Sequence, residues 1–125
     1  MMNIALLCLS LLLVGTPTSS KKKGPTPNVM IGYLMDKMCS KRMVGNTDKM
    51  MKHTKTCLLE ETCASTGFGL MTEKKFIPFD AKGNELALEY LDNSKKERDF
   101  LVEVKGSMKK NKLAITELSD PKPQK

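Results

Sequence analysis

The stretch Phe100–Thr116, FLVEVKGSMKKNKLAIT, decides the fold. Phe100, Val102 and Val104 alternate with Leu101, Glu103 and Lys105; beyond the polar run Gly106–Asn111, Leu113 and Ile115 alternate with Ala114 and Thr116. Successive side chains of a strand point to opposite faces. Period-two alternation on both sides of a Gly-containing turn therefore predicts a β-hairpin with one buried face.

Working upstream, Val29–Asp36 (VMIGYLMD) is apolar enough for a largely buried strand, and Gly32 within it marks a bulge or a close backbone approach. Phe68–Thr72 (FGLMT) and Lys75–Phe79 (KFIPF) read as two short strands turning at Glu73 and Lys74. Pro78 has no N–H to give a ladder, which places the second at a sheet edge. Asp80–Gly83 (DAKG) reads as a turn. Asn84–Leu91 (NELALEYL) follows as a short amphipathic helix presenting Leu86, Leu88 and Leu91. Lys37–Asn46 is a polar stretch. Thr47 caps a turn over Asp48–His53, and Thr54 starts a helix over Lys55–Ala64 that stops near Gly67. Strands from both ends of the chain around a central helix predict a mainly β (α+β) domain. It would be a five-stranded barrel or curled sheet with a cysteine-bearing helical insertion and a short second helix.

The ends read differently. Ile4–Val14 is an unbroken apolar run, followed by Gly15, Pro17, Thr18, Ser19 and Ser20. That is the layout of a secretory signal over residues 1–20, too short to span a bilayer comfortably. Its rival is an uncleaved anchor, because Lys21–Lys23 follow the run and no Lys or Arg precedes it. Residues 21–27 (KKKGPTP) read as a disordered basic leader, 28–118 as one domain, and 119–125 as a disordered tail. No internal repeat is visible. Removing residues 1–20 from 125 leaves 105, enough for one modest core. The expected location is exported, periplasmic or extracellular.

The formal charge of +7 comes from lysines scattered through tails and turns, with no Trp and few aromatics. Specific nucleic-acid binding is therefore not expected, since stacking platforms are missing. An anionic ligand or an envelope component remains open as partner.

The residues Gly32-Tyr33-x-x-Asp36-x-x-Cys39, His53-x3-Cys57 and Cys63, with Val102-x-Val104-x-Gly106 and Leu113-x-Ile115, resemble a group of small exported bacterial proteins, mostly of unknown function. The resemblance covers roughly residues 28–118. It implies an OB-like barrel and an exported setting, and no reaction.

Cys39, Cys57 and Cys63 are the cysteines left once residues 1–20 are removed, and they lie in one subregion with the single histidine, His53. On one helix Cys57 and Cys63 would sit about 9 Å apart along the axis and on different faces, beyond disulfide reach. Cys63 shares its side with Leu58 and Leu59, as a buried thiol would; Cys57 shares the other with Glu60 and Glu61. An exposed thiol in an oxidising compartment calls for a partner. The order of expectation is Cys39–Cys57, then Cys39–Cys63, then Cys57–Cys63. The first would stabilise the domain by about 3 kcal/mol in the chain-entropy picture.

The competing reading is a soft-metal site. If one helix runs unbroken through Thr54, Met50, His53 and Cys57 share a face, and Cys39 could join them. Thioether, imidazole and thiolate suit copper(I), and Cys with His suits zinc. A bridged cysteine cannot be a thiolate ligand, so the two readings exclude each other. Asp36 is expected to cap or close a turn toward Cys39. A thiol-dependent enzyme using Cys57 and His53 is a second alternative, though no C-x-x-C pair and no phosphate loop is present. The primary expectation is a small exported binding or envelope-associated domain with one disulfide and no cofactor.

Overall fold

A computed structural model describes residues 28–123. The expected signal segment and basic leader lie outside the described residues. The alternating stretch forms its hairpin with a tighter turn than expected: β4 (Leu101–Lys109) and β5 (Lys112–Ser119) meet at Lys110 and Asn111. Lys110 adopts φ 56°, the left-handed conformation this turn requires. Gly106 lies inside β4, at a register shift between Lys105 and Gly106. A Cβ there would sit 2.3 Å from the Ala114 carbonyl oxygen, so the bulge brings two backbones together where only glycine fits.

The other strands are β1 (Asn28–Asp36), β2 (Phe68–Met71) and β3 (Phe76–Pro78). All neighbours are antiparallel, in the order β3-β2-β1-β4-β5. Pro78 accordingly lies on an edge strand. Gly32 is a close approach, since a Cβ would meet the Met71 carbonyl oxygen at 2.7 Å. The two edges come together at one point: Phe79 and Leu113 form a single parallel bridge, and Asp80 N–H donates to Leu113 O at 3.2 Å. No ladder joins β3 to β5, so the sheet curls without closing into a barrel.

The concave face is filled by helix α5, Ala81–Asn93. Asp80 is its N-cap, accepting from Gly83 N–H at 2.8 Å. The expected turn at residues 80–83 is thus the first turn of the helix. Its buried stripe is Gly83, Ala87 and Leu91, spaced by four. Leu86 packs at the margin of the core, and Leu88, expected on the buried face, is 41 % exposed. Ala87 and Leu91 pack with Leu34, Leu70, Val102, Val104, Leu113 and Ile115. Past β5 the chain stays engaged at its first residue: Asp120 pairs with Lys96 at 3.1 Å and accepts from the Tyr90 hydroxyl at 2.5 Å.

Between β1 and β2 lies the helical insertion, which has four short helices instead of two. They are α1 (Lys37–Met43), α2 (Thr47–Lys52), α3 (Lys55–Leu59) and α4 (Glu61–Ala64). The polar stretch after β1 is therefore helical, capped by Asp36 and followed by Gly45 at φ 77°. Asn46, one residue before Thr47, caps α2 by accepting from Lys49 N–H at 3.0 Å. Thr54 caps α3 as expected. Glu60 is extended (φ −57°, ψ 131°) and splits the expected Lys55–Ala64 helix in two.

Candidate functional site

The end of β1 and the start of α1 place Asp36 at the centre of the insertion. It is fully buried, and both carboxylate oxygens are engaged. Oδ2 accepts from Cys39 N–H at 2.8 Å, the N-cap bond of α1. Oδ1 lies 3.1 Å from His53 Nε2. His53 is itself buried, at the junction where α2 ends. Burial alone would push the Asp36 carboxyl up. Hydrogen bonds from the His53 ring and from the Cys39 amide and thiol, with the attraction of His53, outweigh it and hold the group below its ordinary value.

On the other side of this pair, Cys39 Sγ lies 4.0 Å from Cys63 Sγ. The contact is set by backbone hydrogen bonding. Lys37 N–H donates to Gly67 O at 2.9 Å and Met38 N–H to Thr66 Oγ1 at 3.2 Å, while Thr66 Oγ1 donates to Cys63 O at 2.7 Å. The turn after α4 thus docks on the open first turn of α1 and carries Cys63 toward Cys39. Burial pushes the Cys39 thiol up to about 12, aided by the Asp36 carboxylate and by Cys63. A thiol of that kind is almost wholly protonated at neutral pH and is a poor nucleophile.

Among the described residues all three cysteines are free, and the sulfur facing Cys39 belongs to Cys63. The bridge ranked first, Cys39–Cys57, is not present. Cys57 is exposed on α3, in a cleft of about 330 Å3 shared with Arg42, Lys49, Lys52 and His53. The reason is the broken insertion: the bend at Glu60 turns Cys63 inward with Leu58, as the helical wheel had it, but leaves Cys57 on the outside.

The set Met50, His53, Cys57 and Cys39 is likewise dispersed. His53 (ψ 125°) and Thr54 (ψ 157°) are extended, so no single helix runs through Thr54. Thr54 instead bridges Arg98, and Lys55 N–H donates to Glu97 O at 2.8 Å. Met50 packs with Met35 and Met71, a cluster against which Cys39 and Tyr33 also lie. No hydrogen bond links His53 to Cys57 among the described residues. The groups that do converge are the donor atoms of Asp36, Cys39 and Cys63, all within 4.8 Å of one another. Asp36 and Cys63 were missing from the expected metal-ligand set. The spacing Asp36-x-x-Cys39 was the usable signal, because an N-cap carboxylate necessarily meets the third residue of its helix.

Next to this centre the outer sheet face carries an open cleft of about 390 Å3. Ile31, Tyr33, Met50, Met71 and Leu101 line it, with Thr47 and Lys74 at the rim. No helix among the described residues is long and apolar enough to cross a membrane.

Compared with known proteins, the chain matches no family model, no curated protein and no solved structure. The likeness to small exported bacterial proteins stays a likeness of the quoted residues.

Proposed function

We propose that the chain is a small exported binding domain that takes an apolar small molecule in the cleft beside its cysteine centre. The centre itself is a clasp, its two facing thiols joined as a disulfide after export. The observation that carries this reading is a contrast in accessibility. Asp36 and His53 are buried with their polar atoms directed at each other and at Cys39, whereas the cleft presents Ile31, Tyr33 and Leu101 to solvent over the buried Met50 and Met71, at a volume typical of ligand pockets.

The two features share parts. Met50 and Met71 line the cleft and also pack in the cluster that receives Cys39. Fixing Cys39 to Cys63 therefore fixes one wall of the cleft. The thiols release two protons and two electrons to a disulfide donor of the oxidising compartment as the bond forms. Their sulfurs must close from 4.0 Å to the bonded distance of about 2.05 Å.

Titration with an apolar fluorescent probe, anilinonaphthalene sulfonate, tests the cleft. Saturable binding at one site is expected, weakened at least tenfold by Ile31→Glu, a residue exposed enough to leave the fold intact. Equal binding by wild type and variant, with unchanged circular dichroism, would sink the assignment. Peptide mapping of the oxidised protein tests the clasp, and a Cys57-containing bridge would overturn it.

A further inference from the structure

We propose that the same centre, when its thiols are reduced, is a zinc site formed by Cys39 Sγ, Cys63 Sγ and the Asp36 carboxylate. Three donor atoms, two from the capped first turn of α1 and one from α4, lie within 4.8 Å of one another, two of their residues buried and the third half-buried. Tetrahedral zinc with bonds of about 2.3 Å to sulfur holds two thiolates about 3.8 Å apart. The observed separation of 4.0 Å needs almost no adjustment to reach that value. Disulfide formation, by contrast, requires the sulfurs to approach by about half that distance.

The surroundings fit a dication. Asp36 brings negative charge into a buried place beside two sulfurs, and ionising both thiols there without a cation would stack like charges. Zinc offsets that charge and stabilises the thiolates it binds. His53 on Oδ1 fixes the carboxylate, as outer hydrogen bonds do in metal sites. Because His53 Nε2 is directed at Asp36, the fourth position falls to water. The carboxylate favours zinc over copper(I), which selects sulfur donors. The inference rests on the clasp reading only in using the same two cysteines, since a bridged pair cannot bind the metal.

The test uses the full chain, reduced and freed of reductant, titrated with cobalt(II) and then zinc. One equivalent of cobalt should give thiolate-to-metal charge-transfer absorption in the near ultraviolet, abolished stoichiometrically by zinc. Cys63→Ser should lose that absorption, His53→Asn should weaken affinity by about 10–100-fold, and Cys57→Ser should change neither. Should Cys63→Ser fail to fold, alkylation of the wild type decides: zinc should protect Cys39 and Cys63 and leave Cys57 reactive. A cobalt complex without sulfur charge transfer, or protection of Cys57 instead, would overturn the proposal. So would copper(I) binding that depends on Met50 and excludes zinc. A mapped Cys39–Cys63 bridge in a protein whose reduced form binds no zinc defeats this inference alone. Zinc binding in a protein that never forms the bridge defeats the clasp alone.

Discussion

Replacing Asp36 by alanine should cost far more than replacing it by asparagine, and the difference isolates the buried pair with His53. Alanine removes two things at once. The N-cap of α1 disappears, worth about 1 kcal/mol, because Cys39 N–H loses its 2.8 Å acceptor. His53, whose side chain is only 5 % exposed, is left with Nε2 unpartnered. Leaving that buried polar atom without a partner costs about 1–3 kcal/mol. A total of about 2–4 kcal/mol is a substantial part of the roughly 5–15 kcal/mol that stabilises an ordinary small domain.

Asparagine caps as well as aspartate through its single carbonyl oxygen and turns its amide NH2 toward His53 Nε2, which accepts when the ring carries its proton on Nδ1, so its loss is the charge assistance and the change of tautomer, about 1–1.5 kcal/mol. Urea unfolding followed by far-ultraviolet circular dichroism, with reductant and chelator present, reads both numbers; the chain has no Trp to report by fluorescence. The Asp36 carboxyl, faced by His53, Cys39 and Cys63, is held below its ordinary value. Its contribution is therefore full above the unfolded carboxylate pKa and is lost as the pH falls through the folded one. The gap between wild type and Asp36→Asn should close in acid. Alanine and asparagine variants within about 0.5 kcal/mol of each other would refute the reasoning.

The helix α5 face can be checked by a pair: Leu91→Ala should cost about 2–5 kcal/mol and Leu88→Ala less than about 0.5 kcal/mol in the same urea assay. Gly106→Ala places a Cβ 2.3 Å from a backbone oxygen, which no side-chain rearrangement relieves, and should destabilise by at least about 1–3 kcal/mol. Burial and the Asp120 hydrogen bond raise the Tyr90 phenol; in a Tyr33→Phe background, Asp120→Asn should bring its ultraviolet titration to lower pH. If the proposed Cys39–Cys63 bridge forms, its reduction should speed amide exchange in α1–α4 while leaving β1, β4 and β5 protected, and uniform acceleration would contradict a clasp local to the insertion.

The sheet was legible because its residues obey local rules. Alternation at Phe100–Thr116, the apolar run at Val29–Asp36 and the edge proline at Pro78 each state a strand without reference to the rest of the chain. The helical insertion was legible only in part. Thr54 announces a cap, but nothing local to Glu60 announces a break: glutamate is a good helix former. What selects the extended backbone there is packing, which turns Leu58 and Cys63 inward together. The same holds at Asp80, where a turn signature and an N-cap use the same residue types, and only the docking of α5 on the sheet decides between them. At the α5 face the apolar Leu88 outweighed Gly83 on the sequence, yet Gly83 is buried because a Cβ there would lie 2.6 Å from Phe79 Cβ.

Which sulfur faces Cys39 was not legible for a related reason. A helical wheel assigns faces correctly within one helix, and it placed Cys63 inward and Cys57 outward. It cannot say that an inward thiol meets another thiol. The four helices of the insertion have seven, six, five and four residues. Helices shorter than about 12–15 residues are marginal on their own in water, so each depends on contacts beyond itself. Three of those contacts meet at the centre: the Asp36 cap, the Gly67 and Thr66 acceptors under α1, and the methionines packed on Cys39; the Lys55–Glu97 bond ties α3 to the segment before β4. The centre thus helps to order α1, α2 and α4, while α3 is also held from the sheet side. A bridge across the 24 residues from Cys39 to Cys63 would contribute about 3.5 kcal/mol in the chain-entropy model. Zinc would tie the same positions together by a different bond. Under either proposal the cleft wall that includes Met50 would be held through the cluster packed on Cys39.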